Sequence, residues 1–179
     1  MIAVPNQGCS ANVLPLIRTL LDIVLLRKGP EDIPRSGVLL VLIVGLWLFS
    51  SLAAVALIER IDESDFFLGL FSGVVGILCY AALVSVSGHA SRLLQTISAI
   101  LGCGALISIA FVAAYVLLLP FIGEQPAGII ANLIGFWSVP VEGHIIARAI
   151  ERHWYVGILI AITVFVLQLF IFSVMSSTP

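Results

Sequence analysis

Apolar residues in this chain fall into long runs broken by short polar segments, not into the alternation of a half-buried strand or the single stripe of a soluble helix. Residues 37–58, 66–86, 97–119 and 155–175 form four runs, each reaching the ~20 residues that cross ~30 Å of hydrocarbon. A fifth stretch, 127–147, is long enough but carries Asn132, Pro140, Glu142 and His144. Without it as a span, Ile129, Ile130, Leu133, Ile134, Phe136 and Trp137 would be stranded outside lipid, so it is read as the fourth of five spans. Nothing shows the ~10-residue alternating units of a membrane β-barrel. The expected fold is all-α: a polytopic bundle of five transmembrane helices over 37–179, preceded by a cytoplasmic segment, 1–36.

That first segment predicts a shorter element. Residues 13–26 are strongly apolar but interrupted by Arg18 and Asp22 at i, i+4 spacing. The pattern predicts an amphipathic helix over about 13–27, too short to span and suited to the membrane–water interface or to the mouth of the bundle. Gly29-Pro30 is expected to end it, and Pro34 to reshape the chain before the first span. Residues 1–10 have neither the basic nor the apolar region of a signal peptide.

Composition agrees with this layout and excludes others. The 179 residues are 61% hydrophobic and 10% charged, with a mean hydropathy of +1.21, whereas soluble domains are about 45–50% apolar and about 25% charged. Eight basic residues against ten acidic ones provide no basic stripe for a nucleic-acid backbone. Their placement is informative. With the N-terminus inside, Arg18, Arg27, Lys28, Arg35, Arg92, Arg148 and Arg152 fall on the cytoplasmic side and only Arg60 opposite, a seven-to-one split. The loop 59–65 is acidic. The orientation expected is N-in and C-out.

Small residues mark helix contacts. Gly69, Gly73 and Gly76 form a G-x-x-x-G-containing stripe in span two, and Gly128, Ala131 and Gly135 another in span four. In lipid such residues let backbones approach, within the bundle or against a second chain. Cys9, Cys79 and Cys103 are too scattered for a disulfide framework, and no C-x-x-C occurs. No internal repeat is evident.

Chemistry concentrates late in span four, in Trp137-Ser138-Val139-Pro140-Val141-Glu142-Gly143-His144-Ile145-Ile146-Ala147-Arg148. Pro140 removes a donor and frees the Phe136 carbonyl, so a kink is expected. Glu142 lies about 9 Å of helix rise from Arg148 at the cytoplasmic edge, a depth at which an ionised group needs a partner or water. His144 and Arg148 share a face. Glu142 points elsewhere, toward Arg92 or His89 of the loop after span two. The leading reading is a helix-end polar cluster of Glu142, His144, Arg148, Arg92 and His89 that sets depth and tilt, with Glu142 paired to Arg92. A proton or ion site using Glu142 and His144, a metal or haem site using His89, His144 and His153, and a partner-binding surface are the alternatives. The histidines lack metal-ligand spacing such as H-x-x-x-H. Asn132 is expected to hydrogen-bond between helices. G-x-S-x-G, H-E-x-x-H and P-loop patterns are absent. No catalytic, cofactor-binding or metal-binding residues are assigned.

Two stretches carry a resemblance. Leu16-Ile17-Arg18-Thr19-Leu20-Leu21-Asp22-Ile23 with Leu26-Arg27-Lys28-Gly29-Pro30-Glu31-Asp32-Ile33-Pro34, and Trp137-Ser138 with Gly143-His144-Ile145-Ile146 and Arg148, resemble small bacterial inner-membrane proteins of unassigned function. These look distantly related to the Yip-type membrane domain, named for Rab-GTPase-interacting proteins. The resemblance implies five spans, a cytoplasmic N-terminus and no catalytic residues. The long cytoplasmic region of eukaryotic members has no counterpart here. The function expected is a non-enzymatic scaffold, assembly factor or accessory subunit of a membrane complex. Its partners would be the bilayer and a second membrane protein or another copy of itself, with no cofactor and no nucleic acid. The alternative is a small proton- or ion-coupled transporter or channel using Glu142 and His144.

Overall fold

A computed structural model describes residues 13–58 and 63–176, all helix, turn and loop, with no strand among them. The order is α1 (Val13–Val24), a 3-10 turn at Pro30–Asp32, α2 (Gly37–Leu57), α3 (Glu63–Val86), a second 3-10 turn at Ala90–Arg92, α4 (Leu93–Ile122), α5 (Glu124–Phe136), α6 (Ser138–Ala149) and α7 (Trp154–Ser176). Five helical segments are long and apolar enough to cross a membrane, with α5 and α6 together forming the fourth. The segment 1–12, which holds Cys9, most of the acidic loop's charges at 59–62 and the tail 177–179 lie outside the described residues.

α4 is the hub. Its 30 residues correspond to about 45 Å of helix, longer than the hydrocarbon is thick. Ser98, Ala99, Gly102, Cys103 and Ala105 are buried along it, and their small side chains let neighbours approach closely. Leu20 of α1 lies directly over Gly102, where a Cβ would sit 2.8 Å from its Cδ2. Leu20 and Ile23 are thereby buried with Cys103, Val141, Ile145 and Ile146 in one core. Ile17 and Leu21 of α1, and Leu25 just past its end, stay exposed.

α1 ends differently from expectation. It stops at Val24, and Leu26 takes a left-handed conformation at φ 59°. The Arg27 and Lys28 amides both donate back to the Asp22 carbonyl, at 2.8 and 3.3 Å. That closure satisfies the helix end, so Gly29-Pro30 follows the stop instead of making it. The Asp22 carboxylate pairs with Lys28 at 2.9 Å rather than with Arg18.

The expected kink is present as a break. Pro140 has no N–H for the Phe136 carbonyl, and α5 gives way to α6 at Trp137, whose amide bonds the i−3 carbonyl of Ile134 at 3.2 Å. The break turns the Trp137 indole toward α1, where it donates to the Val24 carbonyl at 2.9 Å.

The closest backbone approach is between α6 and α7. A Cβ on Gly157 would run into the Gly143 carbonyl oxygen, and one on Gly143 would lie 2.8 Å from the Ile158 Cα. Of the small residues expected to pack, Gly73 meets Trp47, Gly76 meets Gln168, Gly135 meets Phe111 and Ala131 is fully buried. Gly69 and Gly128 make no such contact within the bundle: a Cβ at either would meet nothing within 4 Å. Gly157→Val should therefore destabilise the fold by about 1–3 kcal/mol or more through backbone overpacking. Gly128→Ala should leave it unchanged or firmer by about 0.5–1 kcal/mol, the helix penalty of glycine. Thermal unfolding in a mild detergent measures both, and equal losses would contradict the packing described.

Candidate functional site

The polar residues divide into two groups at different levels. The deeper one centres on Glu142, half-buried one residue before the Gly143 contact. Its partner comes from α3: Tyr80, a residue 2% exposed, donates its hydroxyl proton to Glu142 Oε2 at 2.7 Å. From α7, the Gln168 side chain reaches across the space left by Gly76 and donates to the Ser72 carbonyl at 3.1 Å. Between these side chains lies a cavity of about 80 Å³. Trp47 of α2, Gly73 and Gly76 of α3 and Gly104 of α4 complete much of its wall. Three glycines on two helices keep the space open, since a side chain at Gly73 or Gly76 would enter the volume now held by Trp47 or Gln168.

The second group clasps the segment after α1 to the end of the bundle. Gln95, buried near the start of α4, donates to the carbonyls of Ile33 (2.6 Å) and Glu31 (3.3 Å) and accepts from Arg35 at 3.0 Å. His144 Nε2 lies 3.0 Å from the Lys28 carbonyl, which can only accept, so this nitrogen carries the proton. Arg148 pairs with Glu31 at 3.1 Å. Arg92 pairs with Glu151 at 2.6 Å and touches the Arg148 carbonyl at 3.4 Å, and His89 stands 3.9 Å from the same Glu151.

The expected cluster thus separates. His144, Arg148, Arg92 and His89 belong to the clasp, whereas Glu142 faces the cavity. The Glu142–Arg92 pair is a correction. The arginine is taken by Glu151 in the tight turn between α6 and α7, and the carboxylate by a phenol. Asn132 is another: it donates to its own i−4 carbonyl, Gly128, at 2.8 Å, and is exposed. His153 stacks on Tyr155, and no three metal-ligating side chains gather among the described residues. Cys79 and Cys103 are unbonded thiols. Sequence reasoning missed Tyr80, Gln168, Trp47, Gln95 and Glu151. The glutamines carried the available signal, as uncharged polar groups inside or beside apolar runs that need partners.

Outside the bundle, Gly128 and Asn132 line an open groove of about 600 Å³ with Phe111 and Tyr115 of α4 and Gln125 and Ile129 of α5.

Comparison with family models, with curated proteins and with solved structures finds no match to this chain.

The two polar groups should differ in weight. Gln95→Leu strands the buried Ile33 carbonyl and the part-buried Glu31 carbonyl and should cost about 1–3 kcal/mol. Arg92→Ala breaks a pair whose glutamate is 61% exposed, and such pairs contribute below about 1 kcal/mol. Detergent melting curves at low and high salt distinguish them: only the Arg92 effect should fade with salt.

Proposed function

We propose that this chain is a non-enzymatic integral membrane protein, a scaffold, assembly factor or accessory subunit that works by offering helix surfaces to a second membrane protein. The observation that carries this reading is the groove beside α5. Gly128 there meets no neighbouring helix, and Asn132 spends one N–H on its own backbone within a segment long and apolar enough to span. A glycine with an amide one turn away supports close approach of another helix and a hydrogen bond to it, the main sources of helix association in lipid.

The reading includes a bacterial inner membrane, a cytoplasmic N-terminus and an α1 lying along the interface. The gathering of Lys28, Arg35, Arg92 and Arg148 around the clasp at one end supports that orientation. The exposed apolar side chains of α1 support contact with lipid beside its contact with α4. The Yip-type resemblance enters as an expectation of layout, and no residue role is taken from it.

A second reading, an ion- or proton-coupled role, is favoured by the Glu142 cavity. His144 does not share it, because its ring is engaged by the Lys28 carbonyl.

The test is chemical. A photo-crosslinking residue at Ile129, in the native host, should give one defined membrane-protein adduct, and Gly128→Leu with Asn132→Leu should abolish it without lowering the melting temperature. A chain that stays alone across several mild detergents and forms no adduct would sink the reading. A reporter fused after Pro179 should be found outside the cytoplasm, and a cytoplasmic signal would reverse the orientation.

A further inference from the structure

The Glu142 carboxylate has an unusual balance of partners. Tyr80 supplies one hydrogen bond to Oε2, and no other described residue binds the group. The basic side chains near the end of the same helix are committed elsewhere, Arg148 to Glu31 and Arg92 to Glu151. An acid inside a helical bundle without Lys or Arg beside it needs a proton or a counter-charge of another kind.

The cavity wall is suited to the second solution. The Tyr80 proton is spent on Glu142, leaving lone pairs on the phenolic oxygen, and one Gln168 N–H is spent on Ser72, leaving its carbonyl oxygen without a donor. Glu142, Tyr80 and Gln168, each with an oxygen acceptor to offer, thus line one small, partly open cavity, and Trp47 forms part of the same wall. A volume of about 80 Å³ is ample for more than one water-sized group. It admits a small cation with a water molecule. Oxygen donors suit hard cations, and an aromatic face adds attraction for any cation brought near it.

We propose that the cavity between α2, α3, α4, α6 and α7 binds a small monovalent cation, sodium or ammonium in size, against the Glu142 carboxylate. Tyr80 holds the carboxylate in place, and Gln168 completes the acceptor set. The site deepens the ion-coupled reading of Glu142 and does not depend on the scaffold reading. Binding and transport are separable: a site that binds without flux in proteoliposomes removes transport and leaves the inference standing.

The experiment uses the full chain in mild detergent, titrated to 300 mM with sodium, potassium, ammonium or choline chloride at constant ionic strength. A ligand that binds only the folded state raises the melting temperature in a saturable way, here by about 2–4 °C. Sodium, ammonium or both should do so, and choline, whose methyl groups keep its charge away from the oxygen acceptors, should not. Glu142→Gln should lose the shift, Gln168→Leu should weaken binding at least about tenfold, and Arg92→Ala, outside the cavity, should retain it. Should Glu142→Gln fail to fold, a variant with Trp137 and Trp154 changed to Phe leaves Trp47 as the sole indole, and its emission should follow the same titration. Identical melting and emission in all four salts, or an undiminished sodium or ammonium shift in a folded Glu142→Gln protein, would overturn the proposal.

Discussion

The close approach of α6 and α7 at Gly143 and Gly157 is the constraint from which much of this architecture follows. In lipid no hydrophobic force drives one helix onto another, so association depends on how near two backbones can come and on hydrogen bonds between them. At this contact even one added methyl group on Gly157 would collide with the Gly143 carbonyl. The pairing seats α6 against α7 while the other side of α6 meets α4 and the end of α1. Residues next to Gly143 are thereby committed. Glu142 turns to the cavity shared with α3 and α7, and His144 turns to the loop after α1.

The break at Trp137 makes this arrangement possible. A straight helix from Glu124 to Ala149 would keep α5 and α6 on one axis. With the Phe136 bond lost to Pro140, the helical ladder is interrupted at Trp137, and the indole at this joint ties it to α1. One proline thus separates an outer half, which leaves Gly128 half-buried and Asn132 exposed along a groove, from an inner half in which Val141, Ile145, Ile146 and Ala149 are fully buried.

The architecture was legible in the sequence wherever one property summed over many residues decided it. Twenty apolar residues in a row allow few alternatives, and the five spans lie close to where hydropathy puts them. The Pro140 break was legible because proline acts locally. Pairings were not, because each depends on which two surfaces meet. Tyr80 in an apolar run reads as one more lipid-facing or core aromatic until α6 is set beside it. Arg92 and Glu142 attract on paper, yet Glu151 is held in the turn nearer the arginine and takes it. The G-x-x-x-G spacing drew notice to Gly69 and Gly73, while the tightest contact uses Gly143 and Gly157, one glycine on each of two helices, a pattern that no single-helix motif contains.

The two polar groups also bear differently on what the chain can do. The clasp spends its charges on one another: Arg92 on Glu151, Arg148 on Glu31, and Gln95 on backbone. Groups so engaged orient the end of the bundle, and their surface pairs contribute little to stability one by one. The cavity group is in the opposite condition, with an acid whose hydrogen bond comes from a neutral phenol and with which no Lys or Arg among the described residues pairs. Stability alone would favour an apolar replacement for such an acid, since burying a charge costs more than one hydrogen bond returns. A helix that holds Glu142 between the two residues that fix its packing, Val141 in the core and Gly143 on α7, therefore keeps it at a structural cost. That cost is what makes a ligand for the carboxylate a better account of the cavity than packing.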